Sequence, residues 1–372
     1  MNLKRLSAAF AAALTVATAA FAANPVPAYI NLDANQIKMN DADWSKLSAR
    51  LKALQNGKDT VVRVLHIGDS HIQAEFVTNE LRRLLQERYG NAGRGLLMPL
   101  RLAGTNQSHD YSATSPLKDW TQTRLLKYPW PLRPGVTGIA AAPRQNPTET
   151  WRTPVPGHTI ASAKLLSSKG KTDVPVTNPA DSLVTPVDAE TAVYGLITEN
   201  GRPGLVYSAI GNNGACYNDY SLVDSFAAQT RVFQPELIVL SMGTNEAFSY
   251  MTDDEIKRSA HDLINALRAY HPQAEFLMLT PMECQRNRNH GHRPLSPYYD
   301  INTRNERVVR MLRKVAAEEN VPLWDFYAVA GGRGTSEKWL EDKLMNKDRI
   351  HLLKPGYELQ ARLLFDALVK AL

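Results

Sequence analysis

Four short stretches of this 372-residue chain carry residues that together could perform acyl transfer: Gly68-Asp69-Ser70, the glycine-rich turn ending in Gly214, Gly243-Thr244-Asn245, and Asp348-Arg349-Ile350-His351. A serine hydroxyl is a weak nucleophile and needs a neighbouring base. Of the nine histidines, His351 suits that role best. Asp348, three residues earlier, can accept from one ring nitrogen while the other faces Ser70. The N–H groups of Ser70 and Gly214 and the side-chain amide of Asn245 would supply three donors to a developing oxyanion. Gly214, without a Cβ, lets backbone approach a ligand closely. Taken alone, the first stretch reads equally as a nucleophile or as a helix cap at Asp69 or Ser70. Its distant partners decide for the nucleophile.

The elements that must position these residues follow from hydrophobic pattern. Val61 to Ile67 is an apolar, β-branched run that reads as a buried strand. After the Gly68-Asp69-Ser70 turn, Ile72, Phe76, Val77, Leu81, Leu84 and Leu85 fall at helical spacing, and Gly90 stops the helix. Further strands are expected at Leu205 to Ile210, Pro235 to Met242, Glu275 to Pro281 and Val321 to Asp325. Helical segments alternate with them. One, running to about Phe233, follows the Gly214 turn. Another opens with a capping box at Thr252 and Glu255, and the last starts near Pro355. This alternation predicts an α/β fold, a flavodoxin-like doubly wound parallel five-stranded sheet of order 2-1-3-4-5. The first strand then lies at the switch point, and the Ser70, Gly214 and Asn245 loops meet in one crevice. Residues 108–202 break the rhythm with frequent prolines and short strand-like pieces, and read as an inserted β-rich module. Its aromatics (Tyr111, Trp120, Tyr128, Trp130, Trp151 and Tyr194) are either its core or a sugar-stacking surface; the core reading is the stronger for each one. The α/β domain is thus expected in two pieces, 23–107 and 203–372.

Residues 1–22 read as a secretory signal peptide: Lys4 and Arg5, an apolar alanine-rich stretch, then Ala20-Phe21-Ala22. No later run is apolar enough to span a membrane. The chain is therefore expected to be exported, to the periplasm or beyond, with no integral membrane segment after cleavage. Its formal charge is +6, of which Lys4 and Arg5 carry two, leaving +4. The basic residues form no Lys/Arg block, so nucleic acid is not an expected partner. Cys216 and Cys284 are expected to be separate thiols, since their strands are not neighbours in the proposed order. His290-Gly291-His292 lacks acidic or thiol ligands at helpful spacing and reads as a solvated loop. No metal or organic cofactor is expected.

The four motif blocks, in order, resemble the SGNH (GDSL-like) hydrolases over residues 61–90 and about 204–371. The resemblance implies Ser70 as nucleophile, His351 as base, Asp348 as its orienting carboxylate, and Ser70, Gly214 and Asn245 as oxyanion hole. Two features depart from the commoner pattern: Gly-Asp-Ser-His replaces Gly-Asp-Ser-Leu, and the β-rich insert separates the first two blocks. Both, with the export signal, resemble the peptidoglycan O-acetylesterases, whose inserted module is similar to carbohydrate-binding domains. That implies an O-acetylated glycan as substrate, with acetyl on O-6 of muramic acid the first choice. Transfer of acetyl to a sugar, hydrolysis of another acetylated polysaccharide such as xylan, and glycan binding by a vestigial esterase are the alternatives. His71 beside the serine reads equally as a substrate contact or as a packed or capping residue. Arg286 and Arg288 (with Arg293), after the fourth strand, could meet carboxylates of the glycan or its peptide stems, though a solvated loop is the stronger reading. His66 reads as a core histidine, and Asp69 as the residue that holds the turn.

Overall fold

The computed structural model describes residues 25–58, 60–287 and 299–372. The signal-peptide segment, Arg288, the His290-Gly291-His292 run and Arg293 lie outside the described residues. The five expected strands are Val61–Gly68, Gly204–Gly211, Leu237–Ser241, Glu275–Leu279 and Leu323–Trp324. They pair in parallel in the order 2-1-3-4-5, with the first between the second and third. A two-residue strand, Ile37–Lys38, adds antiparallel to Leu323–Trp324 and makes the sheet six-stranded. It is too short to show an alternation in sequence.

Side chains of the first strand explain its central place. Val62 and Val64 point to one face, into a core shared with Trp44, Leu81, Leu364 and Tyr357. Leu65 and Ile67 point to the other, towards Ile238, Ile264 and Leu312. A strand buried on both faces is an apolar run rather than an alternating one. Truncating the fully buried Leu65 to Ala would cost about 2–5 kcal/mol.

The β-rich segment forms antiparallel strands from Ser112–Thr114 to Val193–Glu199. Its sheet also recruits Gly95–Leu97, upstream of the expected boundary at 108, which pairs with Val193–Glu199. Leu96, Trp151, Val193 and Leu196 belong to the same buried cluster as Leu65 and Ile67, so the segment shares its core with one face of the central sheet. Most of its aromatics are interior: Tyr111, Trp120 and Trp151 are buried, and Trp130 and Tyr194 are half-buried. Tyr128 is 82% exposed.

Two helices differ from the sequence expectation. The helix after Ser70 is broken into Ser70–Gln73 and Phe76–Tyr89, because Glu75 takes a left-handed φ of 57°. Its buried carboxylate reaches Arg94, which also pairs with Asp110, and Asp110 in turn binds Arg82. The stretch after Gly214 is a 3-10 turn at Tyr217–Leu222, a short helix at Phe226–Gln229 and a second 3-10 turn at Thr230–Phe233. The Thr252 capping box forms as expected, with the Thr252 side chain accepting from Glu255 N–H and Glu255 accepting from Thr252 N–H. Cys216 and Cys284 are both free thiols. Among the described residues no helix is long and apolar enough to cross a membrane.

Candidate active site

Gly68 and Gly211 face each other in register at the ends of the first two strands. A Cβ on Gly68 would lie 2.3 Å from Ile72 Cγ1, and one on Gly211 would lie 2.1 Å from Gln73 N. Only glycine lets the short helix Ser70–Gln73 rest this closely on the strand ends. Asp69 caps that helix, its Oδ1 accepting from His71 N–H at 2.9 Å. Ser70 is thus the first helical residue, whose N–H has no intrahelical acceptor.

Ser70 Oγ stands 2.8 Å from His351 Nε2. His351 Nδ1 stands 2.7 Å from Asp348 Oδ2, and Asp348 Oδ1 accepts from the N–H groups of Ile350 and His351, both at 2.9 Å. These two backbone donors and the His351 ring hold the Asp348 carboxyl below its ordinary pKa despite burial. His351 is shifted up, chiefly by its hydrogen bond to Asp348, with burial opposing. A serine, an imidazole and a carboxylate therefore lie in one hydrogen-bonded line. Ser70 comes from the first loop and the other two from the last.

The remaining strand-end residues converge as the sheet order requires. Gly214 adopts φ +85°, open to glycine but strained for other residues. Asn245 Nδ2 donates to Ala215 O at 3.0 Å and lies 3.4 Å from Asp69 Oδ2. Asp69 is buried, and that burial raises its carboxyl to about 7 against the hydrogen bonds that lower it.

Three residues that motif reading passes over build this arrangement. Gln73 accepts from Asn213 N–H at 2.8 Å and donates to Thr105 Oγ1 at 2.8 Å, tying the Gly214 loop to the serine helix. Glu246, buried beneath the same loop, accepts from Tyr217 N–H at 2.8 Å; burial raises it to about 7. Tyr220 OH donates to Gly68 O at 2.6 Å. A polar residue one turn into a short helix is the only sequence signal for Gln73.

His71 packs its ring 5.0 Å from the His351 ring, and its Nδ1 lies 2.9 Å from Tyr357 OH. Burial, and the repulsion His351 exerts whenever its ring is protonated, lower His71 to about 3, so it stays neutral. It supports His351 from the side of the last helix, Lys354–Ala371. His66 is fully buried in the core, with Nδ1 2.7 Å from Tyr207 OH and Nε2 buried without a hydrogen-bond partner among the described residues. Arg286 lies in the short strand Gln285–Asn287, its guanidinium 5.9 Å from the Phe248 ring. From the β-rich segment, Leu126 reaches over the Gly214 loop: its Cδ1 would be 3.2 Å from a Cβ there. Among the described residues no group of three or more His, Cys, Asp or Glu is placed to hold a metal ion.

Residues 188–359 match the GDSL-like lipase/acylhydrolase family. That span contains Gly214, Asn245, Asp348 and His351; the sheet supplies Ser70 from outside it. The chain is similar in fold to a solved peptidoglycan O-acetylesterase, at 22% identity and a TM-score of 0.72, covering 92% of this chain and 97% of that one. That coverage takes in the β-rich segment together with the sheet. Two further solved structures match less of the chain. A lipase/acylhydrolase from Enterococcus faecalis has 21% identity and a TM-score of 0.34, covering 45% of this chain and 77% of its own. An acetyl xylan esterase has 18% identity and a TM-score of 0.34, covering 45% and 81%. No curated protein sequence gives a significant match.

Proposed function

We propose that this GDSL-like carboxylic ester hydrolase is exported and removes O-acetyl groups from a cell-wall glycan, with 6-O-acetyl muramic acid of peptidoglycan as substrate. The observation that carries the chemistry is the hydrogen-bonded line Ser70 Oγ, His351, Asp348 at the carboxyl ends of the strands. The fold likeness over nearly the full length to a peptidoglycan O-acetylesterase supports the choice of glycan. Export rests on the character of residues 1–22.

In the reaction so read, Ser70 Oγ attacks the acetyl carbonyl carbon while His351 Nε2 takes the hydroxyl proton. The ester carbonyl oxygen becomes an oxyanion held by the N–H groups of Ser70 and Gly214 and an amide hydrogen of Asn245. Asn245 Nδ2 donates to Ala215 O at 3.0 Å and, at the longer 3.4 Å, to Asp69 Oδ2; this second hydrogen would turn from Asp69 to the oxyanion. As the C–O bond to the sugar breaks, His351 gives its proton to the leaving alkoxide. Water then attacks the acetyl-serine with His351 again as base, and acetate leaves. Asp348 keeps the imidazole in the tautomer with Nδ1–H, so that Nε2 can accept from Ser70. Leu126 of the β-rich segment reaches over the Gly214 loop, and two residues on Tyr128 is exposed, a ring on which a sugar could stack.

The test is acetate release from O-acetylated peptidoglycan and from acetylated xylan, by the intact protein and by Ser70→Ala. The expected result is release from peptidoglycan that the variant loses while keeping its fold. A clear preference for xylan would overturn the substrate, and unchanged turnover by Ser70→Ala would overturn the mechanism.

A further inference from the structure

A groove of about 560 Å³ opens beside the last loop, lined among others by Phe248, Arg286, Tyr299, Lys347, Asp348 and Ile350. It begins at the carboxylate that orients His351, one imidazole away from Ser70. Gln285 is buried and anchored, donating from Nε2 to Ser336 Oγ at 3.1 Å and from its N–H to Arg349 O at 2.9 Å. Strand alternation therefore turns Arg286 to the opposite side from this anchor. Lys347 sits on the loop that carries the base, which closes on itself through Asn346 N–H to His351 O at 2.8 Å. Neither Arg286 nor Lys347 forms an ion pair with a carboxylate of the described residues. The acid in the groove, Asp348, is already engaged on both oxygens. The groove's own lining carries two cations, Arg286 and Lys347, against the one acid Asp348. Asp300 stands opposite Arg286 in the strand pair, and an aromatic ring lies under Arg286. A planar guanidinium with an ammonium nearby matches a carboxylate better than it matches a neutral hydroxyl.

We propose that this groove is a subsite for a carboxylate carried by the acetylated glycan itself, bound by Arg286 and Lys347. The assignment rests on the esterase reading above and adds to it: the acid group of the substrate, as well as its acetyl ester, is recognised. Binding there would seat the glycan against the loop that holds Asp348 and His351, with its ester at Ser70.

The experiment is competition against hydrolysis of p-nitrophenyl acetate by N-acetylmuramic acid and by its primary carboxamide. The acid should inhibit at a concentration lower by about fivefold or more, the scale of one or two partly exposed ion pairs. Added salt should shrink that ratio, and the double variant Arg286→Ala, Lys347→Ala should bring it close to one. Equal inhibition by acid and amide, or a ratio that the double variant leaves unchanged, would overturn the subsite. Acetate release from O-acetylated peptidoglycan is measured on the same preparations. Release without an acid-to-amide ratio removes the groove and spares the substrate assignment. A ratio without release removes the substrate assignment and spares the groove.

Discussion

Replacing Asp348 by asparagine keeps the shape of the last loop and changes one proton. Asp348 Oδ1 accepts from two backbone N–H groups at 2.9 Å, and Oδ2 accepts from His351 Nδ1 at 2.7 Å. Asparagine has one accepting end. If its oxygen keeps the two backbone donors, its NH₂ faces Nδ1, and the ring must carry its proton on Nε2. That nitrogen, 2.8 Å from Ser70 Oγ, can then no longer take the serine proton. If the amide flips, NH₂ confronts two N–H groups, at about 1–3 kcal/mol for each donor left unsatisfied. The first arrangement wins, and the base is lost. By the scale of tautomer reversal in Ser-His-Asp enzymes, kcat should fall about 10³–10⁴-fold, or roughly 4–5 kcal/mol of barrier. The residual activity carries a second signature. Asp348 raises the His351 pKa and burial lowers it. A base works when deprotonated, so a raised pKa sets the acid limb of kcat/KM at higher pH. With asparagine the main raising partner is gone while burial and the smaller pull of Asp69 remain, so the limb should move to lower pH. The assay is p-nitrophenyl acetate hydrolysis across the pH range, with circular dichroism to check the fold. A loss under about tenfold with an unmoved acid limb would refute the reasoning.

Other consequences are open to measurement. Asn245→Ala should lower kcat by about 10²–10³ with little change in KM, as loss of one oxyanion donor does; steady-state kinetics decide. Gln73→Leu removes the tie between the Gly214 loop and the serine helix, and should reduce kcat by roughly tenfold while Tm changes little. Arg94→Leu leaves Glu75 and Asp110 facing each other with Arg82 as their remaining cation, and should cost about 3–5 kcal/mol in urea unfolding. Tyr128→Ala should raise KM for the polymer by a few-fold, on the scale of one aromatic contact, and leave p-nitrophenyl acetate turnover unaltered.

Much of this was legible because local and global signals agree. The strand at Val61 buries both faces, so its apolar run marks it as central, and the glycine at its end marks the turn where Ser70 sits. The observed 2-1-3-4-5 order is one of the doubly wound orders that five parallel strands with right-handed crossovers allow. What the sequence hid depends on contacts distant along the chain. The break at Glu75 answers to Arg94 and Asp110, invisible to helical spacing. Gly95–Leu97 joins the β-rich sheet through a strand about a hundred residues later. The turns after Gly214 are held by Asp219 at Cys216 N–H and by Glu246 at Tyr217 N–H, so no continuous helix forms there. His71 reads as a neighbour of the nucleophile, whereas its ring is held by Tyr357 of the last helix.

The central claim is that Ser70 is the nucleophile, activated by His351. Labelling the intact protein with a serine-directed fluorophosphonate, followed by peptide mapping, tests it most directly. The account predicts one label on Ser70, abolished in Ser70→Ala and strongly slowed in His351→Ala, where the proton at Oγ has no acceptor. A label elsewhere, none at Ser70, or equal labelling in the His351 variant would contradict it.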